Sequence, residues 1–363
     1  MQKINGQIIF SASDLVHFME CEHLSILDRL HLDVPMEKAK DSEEAELIQN
    51  RGFAHERDYL EKAKASAKNY IDIATVADSR DARVSATLDA MKQGVDLIYQ
   101  ATFYQPPMIG YADFLKKVDT PSLLGEHSYE IVDTKLSKKS RAKFIIQLAF
   151  YADLLEGIQE EAPEFVSVVL GDGAEEKFQL SDYRYYYLSL KQRFLDFLAI
   201  SEKQGVAQQA ASSTPFPCDK CDLCHWRDRC NGWWDDTDHL TQIANILKTH
   251  IHKLNAVGIN TVEQLANLPP TTRIPKIPDP VLQRLRHQAQ LQNKANKTGE
   301  RFVELIDIDP EQSAEPGPRG FGRLPKPSAH DLFFDMEGFP HVEDGLEYLF
   351  GLYYVNEADE GVF

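Results

Sequence analysis

Three side chains carry the chemistry most plainly. Asp113 in GYADFL and Asp133 in YEIVDTKL stand among apolar, β-forming residues, where an unpaired carboxylate is expensive. Side chains alternate across a strand, so Asp133 and Lys135 share one face while Val132 and Thr134 point the other way. An acid beside an amine at a strand end suits metal-assisted cleavage of a phosphodiester. The carboxylate holds a divalent cation and the amine stabilises or orients the attacking water. Asp113, on the preceding strand, can add a second carboxylate to the same ion because neighbouring strands lie close together. A second set is PFPCDKCDLCHWRDRC, in which Cys218, Cys221 and Cys224 follow a C-x2-C-x2-C spacing and Cys230 comes after five more residues. Thiols this close point to metal or iron–sulfur binding. Four-thiolate zinc is one reading, and the short consecutive spacings favour iron–sulfur ligation.

Elements must position these groups. Ser13 reads as the N-cap of one helix through SDLVHFMECEHLSILDRL, with Cys21 inside it. Alone, such a cysteine is a small buried hydrophobe. A longer helical pattern covers roughly Glu43 to Lys68 and contains RGFAHERDYLE. Gly52 costs this helix about 1 kcal/mol relative to alanine, which implies close approach of another element or of substrate. His55 and Glu56 follow within a turn, and beside the downstream acids His55 becomes an additional metal ligand. Leu97–Phe103, Ile109–Leu115 and His127–Leu136 read as an antiparallel meander. A helix over Phe144–Glu156 places Gln147 and Tyr151 four residues apart on one face. A further strand at Glu164–Leu170 and a long helix over Tyr183–Lys203 precede the cysteines.

The chain then changes character. LNAVGINTVEQLANL reads as helix, turn at Gly258 and a helix capped by Thr261 with Gln264. Another helix starts at Asp279-Pro280 and runs to about Ala295. EPGPRGFGRLPKP is a linker by composition. HDLFFDMEGFP follows as a strand with Asp335 and Glu337 on one face, and a second strand covers Tyr348–Val355. Since a hairpin alone is marginal, the sequence reads as stopping soon after a new domain begins. The expected organisation is 1–237, 238–308, a linker over 309–330, and 331–363.

Charge narrows the partners. With 39 basic against 57 acidic residues among 363, the net charge is −18, so the mean field repels a polyanion. Contact with nucleic acid then needs a local patch, and KLSKKSRAK, Lys135 to Lys143, supplies one beside the acids. No secretory signal opens the chain and no apolar run spans a membrane. The expectation is a cytoplasmic, reducing location with no membrane partner, in which five cysteines serve as ligands rather than disulfides.

RGFAHE with His55, GYADFL with Asp113, VDTKL with Asp133 and Lys135, and QLAFY with Gln147 and Tyr151, in this order and with cysteines behind them, resemble the RecB-type branch of the PD-(D/E)xK nucleases. Related members include the CRISPR-associated RecB-like exonucleases and the AddB-type nuclease domain. The likeness covers about residues 8–235. It implies an α/β fold: a restriction-endonuclease-like mixed sheet core flanked by helices, then a small helix-hairpin-helix-like region. It also implies Mg2+- or Mn2+-dependent DNA cleavage, as an exonuclease on single strands or DNA ends, in repair, recombination or defence. His55, Asp113, Asp133 and the Thr134 carbonyl would hold the metal, Lys135 would serve the water, and Gln147 and Tyr151 would contact DNA or brace the site. The iron-dependent members build a [4Fe–4S] cluster in a pattern that maps onto Cys21, Cys221, Cys224 and Cys230, and this sequence departs from it by carrying Cys218 as well. DLFFDMEG resembles the first acidic motif of an RNase H-like, DEDD-type exonuclease domain. Where a family joins these two domains, a helicase can follow. The alternative from another class is a non-catalytic nucleic-acid-binding module with a structural iron–sulfur or zinc site.

Overall fold

The computed structural model describes residues 1–40, 43–304, 320–328, 330–339, 345–356, 358 and 360–363. It divides into two compact units, Met1–Gln242 with Ile246–His252, and Ile243–Asn245 with Lys253–Phe363.

The first unit opens with a short hairpin, β1 (Gln2–Ile4) and β2 (Gln7–Ile9), turned by Asn5 and Gly6 at positive φ. Helices α1 (Ala12–Glu20) and α2 (Glu22–His31) follow, then α3 (Glu43–Ser66). Next come β3 (Tyr70–Asp72), α4 (Ile73–Val76), α5 (Arg80–Lys92), β4 (Leu97–Gln105), β5 (Met108–Val118) and β6 (Ser128–Thr134). Helix α6 (Ala142–Gln159) crosses to β7 (Phe165–Val169), and β8 (Glu175–Gln179), α7 (Ser181–Gln204), α8 (Val206–Ser212) and α9 (Arg227–Asp236) complete the unit. Strands β3 to β8 form one mixed sheet in sequence order, parallel at β3–β4 and β6–β7 and antiparallel elsewhere. The parallel β6–β7 pair follows from the connection, because strands joined through a helix return in the same direction. Helices flank both faces: an α/β architecture.

One face carries the larger core. Ile98, Ala112, Leu115, Ile131 and Val168 pack there with Phe10 and Phe18 of the N-terminal segment, α6 and the Phe194 region of α7. Helix α6 is apolar nearly all round, with Ile146, Leu148, Phe150, Leu154 and Leu155 buried, as a helix enclosed on all sides must be. The other face is covered by α3, whose Leu60 and Ala63 meet Leu97, Phe114, Val132 and Val169.

The structure corrects the sequence expectations at three places that matter for the chemistry. The N-cap of the first helix is Ser11, not Ser13, and Asp14 closes its capping box. The helix expected through residues 13–30 is two helices, parted at Cys21. Cys21 is extended (φ −156°, ψ 105°) and its Sγ accepts a bond from the Leu24 N–H, so the thiol caps α2. At Gly52, outside its own helix and chain neighbours, no described atom lies within 4 Å of the place where a side chain would stand, so among the described residues no other element makes the close approach, and approach of substrate is the part of the expectation left.

Strand β4 also fails to alternate throughout. Tyr99 packs with the α3-side cluster and Ile98 with the α6-side core, yet Ala101 and Phe103 are again on the α6 side. The phase shifts at Gln100, whose φ is +56°, a left-handed conformation that costs a non-glycine residue about 1 kcal/mol or more. Pairing of β4 with β5 runs from Leu97↔Lys116 to Tyr99↔Phe114, skips the Gln100–Asp113 rung, and resumes at Ala101↔Ala112.

Helix α10 (Lys248–Asn255) begins in the first unit and its last three residues belong to the second. In the second unit, Gly258 (φ +83°) precedes α11 (Val262–Ala266), where Thr261 and Gln264 form the expected capping box. Helix α12 (Asp279–Thr298) ends on Gly299 in the left-handed region. A separate antiparallel sheet has the order β11 (Gly361–Val362), β10 (Leu346–Val355) and β9 (Leu332–Phe339), with Asp335 opposite Gly351 and Glu337 opposite Leu349. Residues 309–319 of the expected linker lie outside the described residues. Among those described, no helix is long and apolar enough to cross a membrane.

Candidate active site

Strands β5 and β6 pair up to Phe114↔Val132, and the next residues along the two strands are Asp113 and Asp133. The ladder ends there and the strands fork. Asp113 reaches across the fork, where its Oδ2 accepts from the Thr134 N–H at 3.1 Å and from the Thr134 hydroxyl at 3.3 Å. Asp133 is 1% exposed. Its Oδ2 lies 2.5 Å from Lys135 Nζ without a hydrogen bond of normal geometry, so the contact is an ion pair. The Lys135 N–H donates to the Val169 carbonyl at 2.8 Å, which fixes the end of β6 against β7.

The electrostatics follow from crowding. Burial raises the Asp113 carboxyl well above its ordinary value, and the charges of Asp133 and Glu56 raise it further. Burial pulls the Lys135 ammonium down, but Asp133 and Asp113 outweigh it and hold its pKa above the usual lysine value. Lys135 is therefore charged at neutral pH, while the carboxylates repel one another. A divalent cation at the fork would reverse that repulsion.

Helix α6 closes the site. Gln147 Nε2 donates to Tyr151 Oη at 3.1 Å, and burial, then Asp133, pushes the Tyr151 phenol well above its ordinary value, which keeps it neutral. Tyr151 and Leu154 also lie over Gly110, where an added Cβ would stand 2.7 Å from Leu154 Cδ1 and 3.2 Å from Tyr151 Cδ1. The glycine of GYADFL is the space that α6 fills. Phe144 places its ring 5.7 Å from the Lys135 ammonium.

His55 reaches the other side of the fork by a different contact. Its Nε2 is 3.4 Å from the Val169 carbonyl. A carbonyl only accepts, so Nε2 is the donor in this contact and Nδ1 is not engaged by it. This is the arrangement in which a carbonyl orients a ligand histidine. Among the described residues, the donors that all lie within 4.8 Å of one another are those of Asp14, His17 and Asp28; His55, Asp113 and Asp133 are not drawn that close. In the Asp14–His17–Asp28 group both carboxylates already have partners, while His17 Nδ1 is buried without a hydrogen bond, 3.7 Å from Asp28 Oδ2. Asp14 takes the Met1 ammonium and both donors of Ser11, and Asp28 takes His225 and Trp226. Sequence reasoning passed over Glu56, which acts on both Asp113 and Lys135. Its one signal was adjacency to His55.

The five cysteines converge although 200 residues separate Cys21 from Cys221 by subtraction of their numbers. All five line one pocket together with Leu24 and Trp226. Cys218 and Cys221 have their sulfurs 3.9 Å apart. No three of the thiols lie mutually within 4.8 Å among the described residues, whereas four thiolates on one zinc at about 2.3 Å stand about 3.8 Å apart. Burial pushes Cys221 up to about 11 and Cys230 up to about 12. Bound cations would draw those protons off.

No protein-family model matches this chain, and no curated protein matches it.

Proposed function

We propose that the first unit is a metal-dependent nuclease of the RecB-like, restriction-endonuclease-like type that cleaves DNA at single strands or free ends. The observation that carries this reading is the fork at β5–β6. Two carboxylates on adjacent strands, Asp113 and Asp133, meet a charged lysine whose Nζ is 2.5 Å from Asp133. In this reading Asp113, Asp133, the Thr134 carbonyl and His55 hold Mg2+ or Mn2+, which supplies charge neutralisation of the phosphate and a more acidic water. Lys135 orients that water through its ammonium. The neutral Tyr151 hydroxyl, fixed by Gln147, braces the site or contacts the DNA. Exposed Lys138, Lys139 and Arg141, in the loop directly after Lys135, attract the phosphate backbone to a surface that is otherwise acidic.

The cysteine pocket holds a structural [4Fe–4S] cluster through Cys21, Cys221, Cys224 and Cys230. It would join the N-terminal helices to α9 and the segment before it, with no cluster atom taking part in the chemistry at the fork. The expected setting is DNA repair, recombination or defence, with a helicase as the natural partner of an end-processing nuclease. The Asp335–Glu337 strand carries the first acidic motif of an RNase H-like domain in the same reading.

The test is cleavage of end-labelled single- and double-stranded DNA with and without Mn2+. Wild-type protein degrades DNA only with the metal, and Lys135→Ala and Asp113→Ala lose activity by a factor on the order of 10² or more while remaining folded. Variants that cut single strands as fast as the parent would sink the reading. One observation favours the non-catalytic alternative: the donors of His55, Asp113 and Asp133 stand farther apart than one cation needs. Salt-sensitive DNA binding with no metal-dependent cleavage would select it.

A further inference from the structure

Helix α1 carries Asp14 and His17 three residues apart, so their side chains emerge on one face. Helix α2 brings Asp28 against them. One ligand atom from each of the three residues lies within 4.8 Å of the other two.

The group is not closed by bonds among its own members. His17 Nδ1 is buried with no hydrogen-bond partner and stands 3.7 Å from Asp28 Oδ2. That span is too long for a hydrogen bond, which needs about 2.7–3.2 Å. It is close to the separation of about 3.4 Å between two donors that share one tetrahedral ion at about 2.0–2.1 Å. A buried polar atom left unpaired calls for an explanation, and a cation between these two atoms supplies one.

Both carboxylates are braced in the way that ligands are. Asp28 Oδ1 accepts from His225 Nε2 at 2.7 Å and from Trp226 Nε1 at 2.9 Å, which leaves Oδ2 on the His17 side. Asp14 Oδ2 accepts from the Ser11 N–H at 2.8 Å and the Ser11 hydroxyl at 2.9 Å, and Oδ1 pairs with the Met1 ammonium. Each carboxylate therefore has one oxygen fixed by two donors. One imidazole nitrogen with two carboxylate oxygens is a donor set for Zn2+ rather than Mg2+, and three protein ligands leave a fourth position for water.

We propose that Asp14, His17 and Asp28 form a separate structural site for a zinc-type divalent cation, outside both the β5–β6 fork and the cysteine pocket. Its place in the fold gives it a task. The His17 carbonyl accepts from the Cys21 N–H at 2.8 Å, and the braces on Asp28 directly follow Cys224. An ion here ties α1, α2 and the segment at Cys224 together beside two of the thiols. This inference does not depend on the nuclease reading.

The experiment titrates Zn2+ alone into the full chain purified without oxygen, and reads affinity, thermal melting and X-ray absorption at the zinc edge. The wild type should bind Zn2+ with a first shell of oxygen and nitrogen, and should melt higher, because a ligand taken up only by the native state stabilises it. His17→Asn places an amide where Nδ1 stands, so without zinc it should melt close to the wild type. Its Zn2+ affinity should fall on the order of 100-fold or more, at or beyond the upper end for loss of a mere supporting partner. Asp113→Asn, at the fork, should bind as tightly as the wild type. His17→Gln replaces His17→Asn if the latter melts early. Zinc affinity unchanged in the folded His17 variant, a first shell of sulfur alone, or loss of binding in Asp113→Asn would give the ion to the thiols or the fork and overturn this site. A wild type that binds no Zn2+ would overturn it as well.

Discussion

His225 and Asp28 are 197 residues apart in sequence and 2.7 Å apart in space, the imidazole Nε2 donating to Oδ1 of the carboxylate. The same oxygen accepts from Trp226 Nε1 at 2.9 Å. Both donors directly follow Cys224, and Asp28 lies on α2, which Cys21 caps. The cysteine pocket is therefore laced shut by protein bonds beside any group it holds. Burial by itself would raise the Asp28 carboxyl, but His17 3.7 Å away and the bonds from His225 and Trp226 outweigh it and hold it far below the carboxylate range.

Asp28→Asn should destabilise the apo protein at neutral pH by about 3 kcal/mol, the scale for removing one partner from a buried pair. The sign of the pH dependence follows from the depressed value. The stabilisation is complete above the unfolded-state value of about 3.9 and is lost as pH falls through the folded one. Urea unfolding of both proteins at about pH 7 and about pH 3 should show the gap narrowing in acid. A gap of the same size at both pH values would mean that Asp28 is not held ionised by this network.

The five thiols make a prediction with a visible readout. Protein purified without oxygen should be brown and contain iron and sulfide. Cys21→Ser should lose most of the iron and, by releasing a loop of about 200 residues, several kcal/mol of stability, on the order of 5 by loop-closure reasoning. Cys218→Ser should keep both. Equal iron in the two variants would show that Cys21 and Cys218 substitute for each other, and zinc in place of iron would refute the cluster.

Crowded carboxylates at the fork should trade stability for metal binding. Because the Asp113 carboxyl is raised by burial and by Asp133, its contribution to stability is complete below the ordinary carboxylate value and is lost as pH rises from there through the raised folded one. Asp113→Asn removes that charge. Without divalent cations at pH 7 the variant should melt higher than the wild type, by about 1 kcal/mol or more. Added Mn2+ should raise the melting temperature of the wild type only. A variant less stable than the wild type in chelator would show that the bonds from Thr134 outweigh the repulsion.

Much of this arrangement was readable before any coordinates. Asp113, Asp133 and Lys135 stood out because charges inside apolar strands need a reason, and Gln147–Tyr151 because helical spacing pairs them. Cys21 was misplaced because the apolar period runs through it unbroken; a thiol acting as a helix cap leaves no compositional trace. Gln100 was invisible for a stronger reason. Its positive φ comes with a bond to Glu56, and local propensity says nothing of a contact 44 residues away in sequence. Glu56 was hidden by its neighbour, since adjacent helical residues point about 100° apart and His55 drew the assignment.

Gly52 gives the sharpest remaining test of substrate approach. It sits inside α3, one turn before His55 and Glu56, and outside its own helix and chain neighbours no described atom lies within 4 Å of a side chain built there. On stability alone Gly52→Ala should help, by about 0.5–1 kcal/mol, through helix propensity and a less flexible unfolded chain. If DNA passes over this turn of the helix, the same methyl group should raise KM for single-stranded DNA several-fold while the melting temperature rises. Paired measurements on one variant separate the two roles. Higher stability with unchanged kinetics would leave the glycine without a part in binding, and lower stability would mean that α3 is packed at this turn in a way its open surroundings do not show.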